Sequence, residues 1–155
     1  MPNVPMWIVC ESTGRWTAAL RLALARRRGA ALGGRIKEVR SLAELSGAAN
    51  ALPSALILIE VQPESFGAPL NWFAQGWQRG ARGVALFDAQ PLAEQACAAL
   101  LEAGALAVID SPRRIEGVLE LERRVAVSRR ARASNPGGEE SIAERAWAAL
   151  PWQDS

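Results

Sequence analysis

Cys10, Glu11, Ser12, Thr13 and Arg15 sit close together in "CESTGR", directly after the apolar run "MWIV". A thiol at the start of a turn, with an Arg nearby and a helix-like stretch beyond, could attack a phosphorus centre. Backbone N–H groups and the guanidinium would hold the anion. Glu11 opposes this chemistry, because a neighbouring carboxylate repels an anionic substrate and raises a thiol pKa. The chain contains no His, which removes the commonest general base and the commonest metal ligand. Cys10 is therefore expected to be a small buried core thiol. Cys97 is expected to be a core residue inside a helix, and the two cysteines are too far apart for a metal-ligand spacing. Carboxylates offer the other chemistry: Glu11 and Glu60 lie at the ends of apolar runs, and such oxygens suit Mg²⁺. Solvated loop acids are the simpler expectation, so neither a metal nor another cofactor is expected.

The order of the elements indicates how these residues could meet. The chain has 155 residues and is half hydrophobic, enough for one domain with a proper core. Strands are expected at Met6–Val9, Arg35–Val39, Ala55–Val61, Gly83–Phe87 and Leu106–Ile109. The runs "ALILIEV", "GVALF" and "LAVI" lack polar alternation, as strands buried on both faces do. Between them lie helical patterns. Thr13–Arg28 places Trp16, Leu20, Ala23 and Leu24 on one face. The second helix starts at Ser41 with Glu44 three residues on, a capping-box pattern. Pro69–Arg79 carries Leu70, Phe73 and Trp77, and two further helices follow Pro91 and Pro112. Gly33–Gly34, Gly80 and Gly104 mark helix ends. Successive βα units argue for an open parallel sheet with helices on both sides, and ligands of such sheets sit at the carboxyl ends of the strands.

At those ends stand Cys10-Glu11, Glu60, Asp88-Ala89 and Ser111-Pro112. In these four places, taken in order and in register, residues 5 to 130 resemble the receiver domains of response regulators. Those domains carry an acidic pair, a phosphorylated Asp, a Thr or Ser, and Lys-Pro there. "IEVQPE" is similar to the family's stretch after its phosphoacceptor, and "SPRRIEGVLELERRV" to the stretch after its Lys-Pro. The resemblance implies a flavodoxin-like α/β fold, a five-stranded parallel sheet in the order 2-1-3-4-5. It also implies a degenerate phosphoacceptor pocket made of Cys10, Glu11, Glu60, Asp88, Ser111 and Pro112. Glu60 is one methylene longer than Asp, Asp88 puts a negative charge where a hydroxyl is expected, and Ser111 replaces the Lys. Phosphoryl transfer depends on neutralising the charge of the transferred group, and this site has gained an anion and lost its cation. Glu60 as a permanent carboxylate would need a cationic partner, and Ser111 is none. "CESTGR" also resembles the loop of cysteine phosphatases, with four residues between Cys10 and Arg15 where those loops have five.

Residues 1–130 are expected to form the α/β domain, 131–140 a linker and 141–155 a short amphipathic tail helix. In the tail, Ile142, Trp147 and Leu150 share helical spacing. With Trp152 they are the candidate partner-binding residues, for another protein or for a second copy in a homodimer. The run from Arg123 to Arg132 holds five arginines; without interleaved aromatic residues it reads as a solvated face, and nucleic acid is not an expected partner. A net charge of +2 is too small to point to nucleic acid or membrane. No membrane-length apolar run or signal pattern is seen, and a reduced cytoplasmic setting is expected. The expected function is a non-catalytic pseudo-receiver, a signalling or regulatory domain acting through protein–protein interaction. The alternatives are an enzyme using Cys10 in a phosphate-binding loop, or a DNA-associated regulator.

Overall fold

The structure, a computed structural model, describes residues 6–27, 35–78, 80–88 and 93–134. In chain order the elements are β1 (Met6–Cys10), α1 (Arg15–Arg26), β2 (Arg35–Val39), α2 (Leu42–Ala51) and β3 (Leu56–Glu60). A 3₁₀ turn (Pro63–Ser65) leads into α3 (Gly67–Gln78), followed by β4 (Arg82–Leu86), α4 (Ala93–Glu102) and β5 (Val108–Ile109). A second 3₁₀ turn (Pro112–Arg114) precedes α5 (Glu116–Ser134). The five strands are parallel and ordered β2-β1-β3-β4-β5, as the resemblance implied.

Apolar content follows position in the sheet. The inner strands β1, β3 and β4 are almost wholly buried, which is why their runs do not alternate. The edge strand "RIKEV" does alternate, with Arg35 and Lys37 exposed. "LAVI" departs from its expectation: only Val108 and Ile109 form a strand, both half-buried, because β5 closes the other edge with a single neighbour.

Period-two alternation divides the buried residues between two faces. Ile8, Cys10, Ile57, Ile59, Ala85 and Phe87 pack with Leu45 and Ala48 of α2, Phe73 of α3 and Leu100 of α4. Trp7, Val9, Leu56, Leu58, Val84 and Leu86 point the other way and are equally buried. On that face lie Trp16, Leu20 and Ala23 of α1 and Ile115, Val118 and Leu119 around the start of α5. Gly83 sets the closeness of α3: a Cβ there would stand 2.5 Å from Cε1 of Phe73.

The capping pattern at α2 is present in shifted form. Ser41 Oγ accepts the Glu44 N–H at 3.2 Å, while the Glu44 carboxylate accepts from the N–H of Arg40, not of Ser41, at 2.9 Å. Gly80 and Gly104 take left-handed φ values of 71° and 109° after α3 and α4, as a helix end requires.

The chain forms two compact units, Met1–Glu120 and Leu121–Ser155. In the second, residues up to Ser134 continue the helix α5, so residues 131–134 are helical where a linker was expected. The Arg- and Ala-rich sequence of this stretch favours helix. Ile142, Trp147, Leu150 and Trp152 lie outside the described residues. Among the described residues no helix is long and apolar enough to cross a membrane.

Candidate functional site

The site is built where β1 and β3 end side by side, next to β4. Cys10 pairs in register with Ile59 and Glu60 with Leu86. Pairing continues past the strands through Glu11 N–H to Val39 O (3.2 Å), Val61 N–H to Leu86 O (2.8 Å) and Phe87 N–H to Ile109 O (2.9 Å). The loop residues therefore leave from a rigid edge. β1 and β3 are also where strand order reverses, the place where open α/β sheets gather functional side chains.

Cys10 is turned away from this edge into the core on the α2–α4 face. Burial, and then the charges of Glu44, Glu60 and Glu11, push its thiol up to about 11. A nucleophilic cysteine needs the opposite shift, so the geometry supports the core-thiol reading.

Glu11 corrects the sequence reading. Neither a solvated acid nor half of a metal site, it is buried, with its Oε2 accepting the N–H of Trp16 at 2.9 Å and its Oε1 that of Thr17 at 2.7 Å. These are the second and third residues of α1, whose N-cap position is Gly14, at φ 82° and without a capping side chain. The first N–H groups of a helix have no partner within it. Glu11 supplies one from the strand end, and its charge meets the positive end of the helix dipole. Gly14 in the left-handed region also explains why α1 starts at Arg15 and not Thr13. The other side of the loop is pinned by Arg40, whose Nη1 donates to the carbonyls of Glu11 and Ser12, each at 3.2 Å, while Nη2 pairs with Glu38 at 3.2 Å.

Glu60, at the phosphoacceptor place, has a side chain only 6% exposed. Its Oε2 accepts from the backbone N–H (2.9 Å) and hydroxyl (3.0 Å) of Ser12, whose Oγ in turn accepts from Gln62 Nε2 at 3.1 Å. Its Oε1 lies 3.6 Å from Nε of Arg15, and Nη1 of the same guanidinium donates to Asp88 Oδ2 at 2.8 Å. The guanidinium also stands 5.4 Å from the ring centroid of its buried neighbour Trp16, within cation–π range. Arg15 thus bridges two acids from different strands. The cation missing at residue 111 arrives from the start of α1.

Of the expected pocket residues, Glu60 and Asp88 are joined through Arg15, while the Glu11 carboxylate is turned to the start of α1. Ser111 and Pro112 serve their own turn: Ser111 Oγ accepts the Arg113 N–H at 3.3 Å, and Pro112 opens the 3₁₀ turn, which is closed off by an Asp110–Arg114 ion pair at 3.0 Å. Arg40 was missed as a site residue, and Ser12, Arg15 and Gln62 were not expected in the network around Glu60. The signal for Arg15 was the charge sum of the four places named in the sequence, Glu11, Glu60 and Asp88 with no cation at residue 111, beside an Arg placed one residue after a Gly. Among the described residues no three His, Cys, Asp or Glu converge on a metal position.

No protein-family model and no curated protein sequence matches the chain. Solved structures match it in fold. A CheY-like protein, tadZ from Pseudomonas aeruginosa PAO1, superposes with a TM-score of 0.59 at 18% identity over 77% of this chain and 91% of that one. An atypical orphan response regulator, described as having a phosphorylation-independent regulatory mechanism, gives 0.59 at 12% identity over 77% and 95%. cpaE from Burkholderia thailandensis E264, described as a pilus assembly protein, gives 0.58 at 15% over 78% and 98%. Sheet order, element order and these superpositions agree: the chain has the fold of the response-regulator receiver domains.

Proposed function

We propose that this chain is a pseudo-receiver, a non-catalytic signalling or regulatory domain that binds protein and is not phosphorylated. The observation that carries this reading is Arg15 spanning Glu60 and Asp88. Every element that a phosphoryl transfer would use is engaged. The carboxylate at the acceptor place is hydrogen-bonded to Ser12, Glu11 holds the start of α1, and the nearest cation already faces two acids. An incoming phosphoryl group would meet Asp88, and the cation nearest to it among the described residues already faces two acids. The similarity in fold to a phosphorylation-independent regulator supports the same reading. Cys10, buried and with a raised pKa, supports no enzymatic alternative.

Protein contact is assigned to the residues around Ile142, Trp147, Leu150 and Trp152, with a protein partner or a second copy as the occupant, in the cytoplasm. Pilus assembly, the setting given for cpaE, is the first in which to seek that partner. Two experiments test the reading. Incubation with acetyl phosphate and Mg²⁺, followed by intact mass, should leave the mass unchanged; a phosphoryl adduct absent from Glu60→Gln would sink it. Pull-down and light scattering of the full chain against residues 1–134 should show binding and self-association lost with the last 21 residues. Retention of both would move the interaction surface onto the α/β domain.

A further inference from the structure

We propose that the cleft between α2 and α3 binds a small, flat, uncharged ring that carries an amide or amidine edge. The cleft has a volume of about 190 Å³ and lies beside the starts of β3 and β4, at the end of the sheet opposite Glu60. Buried Ala55 and Ile57 form its apolar floor. One wall is Trp72 of α3, and that ring is fixed in place. It meets Phe73 edge to face at 5.7 Å, and a Cβ at either Gly76 or Gly83 would stand 3.3 Å from its Cζ3. Two glycines thus make room for an aromatic wall, which offers a flat ligand a π face. The loops that close the cleft are tied by their own backbone. Leu52 N–H bonds to Ala48 O, Ala55 N–H to Leu52 O and Ala81 N–H to Gly76 O, each at 3.0 Å. The cleft is therefore preformed, as small-molecule sites usually are.

Its polar groups define the ligand. Among the described residues the lining carries no charged side chain, so a charged ligand would leave water with no partner for its charge. Asn50 of α2 and Gln75 of α3 stand exposed at the rim, and neither carboxamide is engaged among the described residues. Ser46 donates its hydroxyl to Leu42 O at 3.0 Å and keeps its acceptor side. A carboxamide offers a donor and an acceptor together, and the edge that matches it is another amide or an amidine, as when Asn or Gln reads adenine. At roughly 30 Å³ per water the cleft displaces about six waters, which suits a single ring system and not a nucleotide. The site needs none of the residues around Glu60.

The test is a titration of the full chain with nicotinamide and with adenine, followed in ¹H–¹⁵N spectra. Nicotinate, the same ring with a carboxylate in place of the amide, isolates the effect of charge. Both uncharged rings should give saturable shifts at the amides of Ala55 and Ala81 and at the Trp72 indole N–H, which is identified by its loss in Trp72→Phe. The amides of Trp16 and Thr17, held by Glu11 at the opposite strand ends, should not move. Nicotinate should bind about 10-fold more weakly or worse. Asn50→Ala and Gln75→Ala change exposed helix residues and should each weaken nicotinamide by about 2- to 13-fold, the loss of one hydrogen bond. Ala49→Leu fills the cleft from α2 and should abolish the shifts while the rest of the spectrum stays dispersed. No shift with either uncharged ring, equal binding of nicotinate, unchanged affinity in both amide variants, or binding that persists in Ala49→Leu would overturn the site.

Discussion

Replacing Glu11 tests the central reversal in this site, from a suspected loop acid to a structural anchor. Its two carboxylate oxygens accept the N–H groups of Trp16 and Thr17, at 2.9 and 2.7 Å, and all three residues are at most 3% exposed. Water cannot substitute there. A buried hydrogen bond to a charged group contributes about 1.5–3 kcal/mol, and a buried donor left without a partner costs about 1–3 kcal/mol. The two bonds share one carboxylate, so their contributions are not simply added. Glu11→Ala should lower the unfolding free energy by about 3–5 kcal/mol, a large part of the roughly 5–15 kcal/mol typical of a whole domain. Glu11→Gln keeps the volume and one acceptor oxygen. It turns an NH₂ toward the second N–H and removes the charge at the helix start, for a loss of about 1–2 kcal/mol. Urea unfolding followed by far-ultraviolet circular dichroism and tryptophan fluorescence measures both. A solvated or metal-binding carboxylate predicts the opposite pattern, with near-normal stability in both variants. Two curves within about 0.5 kcal/mol of wild type would refute the capping argument.

Cys10 should react slowly with a thiol reagent in the native protein and at the normal rate after denaturation, because burial holds its thiol near 11; rapid native labelling blocked by phosphate would instead revive a nucleophilic role. Its pKa is raised from 9.0 to about 11 in the folded state, so the folded chain keeps a proton that the unfolded chain releases. Stability from this group is full below pH 9 and falls as pH rises toward 11. With no Tyr in the chain to titrate in that window, Cys10→Ala should visibly flatten the decline in a pH series of urea midpoints. Gly83→Ala places a Cβ 2.5 Å from Phe73 Cε1 and should destabilise by about 1–3 kcal/mol through overpacking; the loss should shrink in the Phe73→Leu background. Ser41→Ala should lose about 1 kcal/mol with the cap of α2, measured by the same unfolding curves.

The fold was legible because its signals are local and repeated. β2 lies where it was expected, at Arg35–Val39, and its exposed Arg35 and Lys37 show the alternation of an edge strand open to water. β4 was placed one residue late, at Gly83–Phe87, and the shift has a cause: Phe87 still bonds to Ile109 and is buried like a strand residue. β5 was expected at Leu106–Ile109 and is a strand at Val108–Ile109, although Leu106 N–H and Ala107 O still bond to Gly83 and Ala85 of β4. Helix starts were legible where the cap is a neighbour in sequence, as at Ser41. They were not where it comes from elsewhere, and α1 is that case: its cap is Glu11, four residues before Arg15 and across a left-handed glycine.

The same distinction governs the site. Sequence position alone identified which residues lie at strand ends, and Glu60 and Asp88 were found that way. It could not identify their partner, because the search for a cation followed the family's own arrangement to residue 111. Charge balance points elsewhere without any template. A carboxylate whose side chain is only 6% exposed, as that of Glu60 is, needs hydrogen-bond donors, and a second acid nearby makes the demand stronger. Ser12 supplies neutral donors and Arg15 supplies the charge, and both belong to the loop that Glu11 and Arg40 hold in place. Glu60, Asp88 and Arg15 therefore form one charge-balanced group: the guanidinium that faces the buried carboxylate of Glu60 also compensates the second acid at residue 88, so removing any one of the three leaves a charge for the other two to carry.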